Sequence, residues 1–360
     1  MSEKKRVGIL TFQNTLNFGA DLQCYALYRS LENSGCEVEV IDYRSPAIEK
    51  REMHSRVLRQ RNAKNMIGLP FEMAFKTLKK RKFHKFEGAY LQYKPIAAGS
   101  PLVDQLSDFD VVVVGSDQVW NLGLTDNDYS FFLPGQCSAK KVSYAASFGN
   151  GKYSAEADGR IRRYLSDFAH IGIRESTGVR KAQELGFAYA EQVLDPTLLL
   201  SASQWNEICP RQQRGEGKYV LAYAVNMKDE VVAKAKKIAD ERHLPLMYVH
   251  GNDWTPLGKA TNRYGVDPAE FVQYVRDAEC VVTSSFHGTC FSLLFHRPFL
   301  SVLNNWSDNG NSRIESLLQL AGLGDEIGGN SVVDPDWRVV DANLDASRLT
   351  SLDFLMSSVS

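Results

Sequence analysis

Short apolar, β-branched runs recur along this chain, and longer stretches with helical spacing separate them. In the first half the runs predict strands at Val7–Phe12, Val38–Asp42, Val111–Gly115, Val142–Ala145, Ile171–Arg174 and Gln192–Leu194. The unbroken VVVV at 111–114 shows no alternation, as expected of a strand buried on both faces of a parallel sheet. Between the first two strands Leu22, Tyr25, Ala26 and Leu31 keep helical spacing, and Asn33-Ser34-Gly35 supplies a stop. That is a β-α-β unit. A second series follows, with strands at Tyr219–Ala224, Leu246–His250, Cys280–Thr283 and Phe299–Leu303. Helical patterns lie between and after them at about 229–241, 268–277, 289–296 and 312–322.

This alternation predicts an α/β protein of two Rossmann-like domains, with parallel sheets facing a central cleft. The expected boundaries are 1–205 for the first domain, 206–218 for an Arg-, Gln- and Gly-rich linker, 219–335 for the second domain and 336–360 for a C-terminal tail. Residues 44–95 interrupt the rhythm as a basic, helical insertion. Its runs 50–64 and 76–85 read either as a solvated helical face or as a patch for phosphate-rich or membrane-surface ligands.

Composition changes this picture little. Over 360 residues the chain is 44% hydrophobic and 24% charged, with a formal net charge of −1, so no global field draws it to nucleic acid. Six scattered cysteines without a CxxC pair suggest reduced thiols. No run approaches the ~20 apolar residues of a membrane span, and a cytoplasmic location is expected.

Candidate chemistry gathers after the strands. In open α/β sheets ligands sit beyond the carboxyl ends of strands, where loop amides and helix N-termini converge. Asn14 and Asn17 follow the first strand, and Gln23 lies on the helix beyond them. Ser116, Asp117, Trp120 and Asn121 follow VVVV, and Asp195 follows the Gln192–Leu194 run. Arg174 ends a strand, where it either pairs with Glu175 or Asp195 or binds an anionic ligand. The segment TSSFHGT at 283–289 reads either as a plain capped turn or as an anion and acid/base site. In the second reading Ser284 and Ser285 offer hydroxyls and amides, Gly288 permits close backbone approach, and His287 exchanges a proton. Signatures for dinucleotides, P-loop nucleotides, zinc proteases and hydrolase elbows are missing. The acidic triplets at 108–110 and 126–128 are too common a pattern to imply a metal, and none is expected.

With these residues in hand the chain resembles the polysaccharide pyruvyl transferase family. The resemblance is carried by GILTFQNTLNFGADLQCYAL (8–27), EVEVIDY (37–43), VVVVGSDQVWN (111–121), KVSYAASFG (141–149), IGIRES (171–176), VLDPTLLL (193–200) and TSSFHGTCFSLLFHRPF (283–299), within about residues 6–325. It implies a GT-B-like enzyme that moves the enolpyruvyl skeleton of phosphoenolpyruvate onto a sugar of a bacterial surface polysaccharide precursor, forming a ketal and releasing phosphate. Carried over by position, Arg174 and His287 are the catalytic residues. Arg174, Ser284, Ser285, His287, Gly288 and Thr289 then hold the donor on the second-domain side. Asn14, Asn17, Gln23, Ser116, Asp117, Trp120 and Asn121 line the acceptor side. Several members carry an arginine two residues before the histidine, and here that position is Ser285. No cofactor is implied beyond phosphoenolpyruvate as co-substrate. The expected partners are phosphoenolpyruvate and a sugar on polyprenyl diphosphate, with peripheral membrane contact through 50–85. Two alternatives stand beside this reading: a GT-B glycosyltransferase using a nucleotide sugar, and a non-catalytic glycan- or anion-binding relative.

Overall fold

The structure is a computed structural model that describes residues 4–12, 14–53, 69–97, 100–149, 152–209, 218–304 and 311–360. Two parallel sheets organise it. The first runs in the order β3-β2-β1-β4-β5-β6-β7, from β1 (Arg6–Leu10), β2 (Glu37–Asp42), β3 (Tyr93–Pro95), β4 (Val111–Val114), β5 (Lys140–Ala146), β6 (Phe168–Ile173) and β7 (Glu191–Gln192). The second runs β10-β9-β8-β11-β12, from β8 (Val220–Tyr223), β9 (Leu246–Val249), β10 (Thr261–Arg263), β11 (Cys280–Thr283) and β12 (Phe299–Ser301). In both sheets the order reverses beside the first strand, between β1 and β4 and between β8 and β11. These are the switch points at which diverging loops leave room for a ligand.

The predicted strands are all present, with ends shifted by at most three residues and Cys280–Thr283 unshifted. The edge strands β3 and β10 were not predicted. Each is three residues long and lacks a continuous apolar run, so the pattern carried no signal for them. The expected linker begins inside helix Ala202–Ile208, whose N-cap Ser201 and Gln204 form a reciprocal capping box. Its remaining centre, 210–217, lies outside the described residues.

The stretch 336–360 is not a tail. It forms a helix, Trp337–Val359, that returns from the second domain to cover the first sheet. Phe354 lies against Gly172 on β6, where a Cβ would come within 2.6 Å of its ring. The amide of Leu194 donates to Ser351 Oγ at 2.9 Å. The mixed polar and apolar sequence of this segment disguised a helix whose buried stripe has its partner far away in the chain.

Between the domains there is shared core as well as a cleft. Phe18, in α1 (Phe18–Asn33), stacks on Phe271 of the second domain at 4.7 Å, and Trp205 meets Phe291 edge-on at 4.9 Å. The basic insertion contributes α2 (Pro46–Met53) and α3 (Leu69–Tyr90), while 54–68 lies outside the described residues. α3 works as a strap across both domains. Lys79 is fully buried and donates to the carbonyls of Leu16 at 2.6 Å and Gly251 at 2.7 Å. Its ammonium also sits 4.4 Å from the centre of the Phe18 ring. Orphaning buried carbonyls costs about 1–3 kcal/mol each, so this lysine helps hold the two domains together. Lys82 pairs with Glu270 of the second domain at 2.7 Å. The run 76–85 is therefore not a uniform basic face. Only Lys80, Arg81 and Lys85 among its lysines and arginines are exposed.

Candidate active site

One cavity lies at the meeting of the two switch points. Thr15 and Asn17 reach it from the loop after β1, and Asp117 from the loop after β4. Asn226 follows β8, and Ser284 and Ser285 follow β11. His287 and Arg313 are also on its wall, with Arg51, Gln118, Asn304 and Asn311. Loops of each domain thus converge on one space, as parallel sheets with facing carboxyl ends require.

The local sequence explains the placement of His287. Ser285 is the N-cap of α10, the helix Phe286–Leu294 taking its place in chain order after α4 (Leu122–Thr125), α5 (Ala155–Leu165), α6 (Ser176–Glu184), α7 (Ala202–Ile208), α8 (Lys228–Arg242) and α9 (Pro268–Asp277). Its hydroxyl accepts the Gly288 amide at 3.2 Å. His287 is the second residue of that helix and crosses to the first domain. Its Nε2 lies 3.6 Å from Asp195 Oδ2, just beyond hydrogen-bonding length, and has no closer partner. On its other edge the imidazole rests against α1 at Gly19, where a Cβ would collide with Nδ1. Only glycine at position 19 lets the ring sit there.

Asp195 is the hub of the site. Its Oδ1 accepts the Thr197 amide at 3.0 Å and the Thr197 hydroxyl at 2.8 Å. Its Oδ2 accepts from Arg174 at 2.9 Å and from Ser116 Oγ at 3.2 Å. Burial alone would raise its pKa. The charges of His287 and Arg174, with the Thr197 amide, outweigh that and hold it well below the usual carboxylate range. Glu175 shows the opposite balance. Burial pushes its carboxyl up, against Arg174, Arg313, Ser147 and the Phe148 amide.

Arg174 forms the ion pair that was one of its two readings. It pairs with Asp195 at 2.9 Å and Asp117 at 3.3 Å, with its face over the Phe286 ring at 4.6 Å. It is buried and is not part of the cavity wall. Arg313 is part of it. This arginine lies in the first turn of α11 (Ser312–Leu320), and among the described residues no hydrogen bond or ion pair engages it. Burial and the nearby Arg174 bring its pKa down to about 10, so it remains charged at neutral pH.

The other candidates divide by position. Asn17, Asp117, Ser284, Ser285 and His287 line the cavity. Trp120 does not; it is fully buried, stacked on Phe132 at 5.4 Å, with its indole N–H donating to Phe131 O. Gln23 and Ser116 are buried behind the wall, bound to each other through the Ser116 amide at 3.1 Å. Asn121 caps α4 and donates to Gln118 at 3.0 Å. Asn14 donates to Glu49, on α2. Thr289 is buried against Ser301 Oγ at 2.8 Å, and Gly288 packs on Thr283. Sequence polarity at strand ends marked most of these residues, but eight of the thirteen stand behind the cavity, in hydrogen bonds, ion pairs or core packing. Asp195 and Arg313 were missed as site residues. Asp195 had a signal in its strand-end position; Arg313 had none, since it opens an ordinary amphipathic helix. Among the described residues no group of three or more His, Cys, Asp or Glu could hold a metal ion.

Solved structures show the same fold at low identity. A Listeria monocytogenes structure assigned as a UDP-N-acetylglucosamine 2-epimerase superposes with a TM-score of 0.54 at 9% identity, covering 98% of this chain and 90% of that one. The UDP co-structure of MnaA from S. aureus gives 0.51 at 12% identity, covering 99% and 91%. Arabidopsis thaliana UGT89C1 complexed with UDP-L-rhamnose gives 0.50 at 12% identity, covering 99% and 100%. The fold is the GT-B type of such epimerases and glycosyltransferases. No curated protein matches the chain. The family model described as polysaccharide pyruvyl transferase matches residues 17–307, a span that holds Asn17, Asp117, Asp195 and His287, and the chain belongs to that family.

Proposed function

We propose that this protein transfers the enolpyruvyl group of phosphoenolpyruvate to two hydroxyls of a sugar, forming a pyruvate ketal and releasing phosphate. The observation that supports this most is the His287–Asp195 pair, a buried acid/base joined across the two domains at the wall of the shared cavity. In the reaction one sugar oxygen bonds to C2 of the donor, its proton passes to His287, and His287 returns that proton to C3, which becomes a methyl group. The second hydroxyl then bonds to C2 as the C2–O bond to phosphate breaks, and its proton leaves with the phosphate. Asp195 holds the imidazole in orientation and stabilises its protonated form. Asn17 and Asp117 stand on the first-domain wall, where the acceptor hydroxyls enter.

Thermal stabilisation by phosphoenolpyruvate, UDP and UDP-sugars, followed by phosphate release from phosphoenolpyruvate with sugar acceptors, tests this reading. Stabilisation by phosphoenolpyruvate together with acceptor-dependent phosphate release is expected. A protein stabilised only by UDP or a UDP-sugar, and releasing no phosphate, would point instead to glycosyl transfer, the second reading favoured by its UDP-bound structural neighbours.

A carrier of the polyprenyl diphosphate kind belongs to the same proposal. No helix of the described residues is long and apolar enough to cross a membrane. The exposed Lys80, Arg81 and Lys85 support contact with anionic surfaces instead. Flotation with anionic vesicles is expected and should fall when all three are neutralised; flotation indifferent to lipid charge would remove this part.

A further inference from the structure

The cavity is walled by groups from both domains, yet Arg174, buried behind it, and Arg313, on its wall, are bound very differently. Arg174 has both ends of its fork engaged by carboxylates and one face covered by Phe286. A ligand anion could reach it only by displacing Asp117 or Asp195. Arg313 stands on the wall itself with no such partner among the described residues. The two helix N-termini at the cavity differ in the same sense. At α10 the Ser285 hydroxyl occupies the Gly288 amide. At α11 the N-cap Asn311 makes no side-chain cap; its side chain turns back to Asn304, accepting that amide at 2.8 Å and donating to its carbonyl at 2.7 Å. An unpaired cation thus stands at Arg313, and the His287 side chain is on the same cavity wall, with its Nε2 turned to Asp195.

We infer that Arg313, rather than Arg174, is the residue that binds the anionic donor, and that Arg174 is a positioning residue for Asp117 and Asp195. This deepens the function proposed above and rests on it. The chemistry it recognises is a compact phosphate- and carboxylate-bearing molecule, whose charge and oxygen geometry a guanidinium fork matches. Arg174 neutralises the two carboxylates that would otherwise repel such a ligand, and fixes the one that faces His287.

Calorimetric binding of phosphoenolpyruvate and of inorganic phosphate, to the wild type and to Arg313→Met, Arg313→Lys and Arg174→Lys, tests the assignment. Loss of a charge-assisted contact weakens binding about 10- to 100-fold, so Arg313→Met is expected to raise the Kd for phosphoenolpyruvate by that factor, with partial recovery in Arg313→Lys. Arg174→Lys keeps a cation but loses the fork. It should leave the Kd within about threefold while lowering kcat for phosphate release with KM little changed. Unchanged binding in Arg313→Met, or equal weakening in Arg174→Lys, overturns the assignment. If the wild type binds neither phosphoenolpyruvate nor phosphate, the proposed function falls, and this assignment with it. Wild-type binding that survives Arg313→Met leaves the function standing and removes only the role of Arg313.

Discussion

An Asp195→Asn variant is expected to lose about as much turnover as His287→Ala, and the double variant scarcely more. The reason lies in the contact between them. His287 Nε2 faces Asp195 Oδ2 at 3.6 Å and has no other partner, so each residue needs the other to move a proton. General acid–base catalysis contributes about 10²–10⁴-fold, and groups acting as one unit fail to add. Phosphate release from phosphoenolpyruvate with acceptor sugar, in all three variants, measures this. Multiplicative losses in the double variant would mean that the two residues act separately. Stability offers a second reading of the same pair. Asp195 is held below its ordinary pKa, so the unfolded chain binds the proton more readily than the folded one. Its stabilisation is complete above the ordinary carboxylate range and is lost as the pH falls through that range and below. Asp195→Asn should therefore flatten the acid side of the stability curve. It should also cost about 3 kcal/mol near neutral pH, because Arg174 loses a buried partner. A variant as acid-sensitive as the wild type would show that the carboxylate is not the one responsible.

Gly19→Ala is the second large effect. In an isolated helix alanine is the better residue by about 0.8–1.0 kcal/mol, so local propensity favours the change. The tertiary contact opposes it, because the new methyl would strike Nδ1 of His287 from the other side of the domain boundary. The ring has to move, and displacement of a reacting group by about 1 Å can cost ~100-fold in rate. Overpacking of the helix contact should cost about 1–3 kcal/mol as well. The expected pattern is a kcat lowered ~100-fold with phosphoenolpyruvate affinity within a few-fold of wild type, since Arg313 lies on α11, away from the Gly19–His287 contact. Full turnover in a folded Gly19→Ala protein would show that the ring tolerates displacement and does not carry the proton.

Much of the architecture was legible in the chain because parallel sheets leave a strong local mark. Strands covered on both faces read as unbroken apolar runs, and VVVV at 111–114 is a central strand of the first sheet. The turn at Ser284-Ser285 and the helix carrying His287 were likewise local, since a hydroxyl before a helix satisfies free amides wherever the segment lies. Edge strands β3 and β10 were hidden because three paired positions on one neighbour define each of them, with no hydrophobic pattern of their own.

The sequence by itself determined the α/β class, the two successive sheets and the loops in which polar chemistry collects. These follow from periodicity and capping, which act over a few residues. Only the tertiary structure decided which of those polar residues share a space. Trp120 went into the core and Asp195 into the site, although both follow strands, because the side of the sheet a loop residue faces depends on what packs against it. Tertiary contact also bound Arg174 between two carboxylates, left Arg313 on the cavity wall and sank Lys79 between the domains. Whether a buried charge is paired or open depends on neighbours that are distant in sequence, and no local pattern records them.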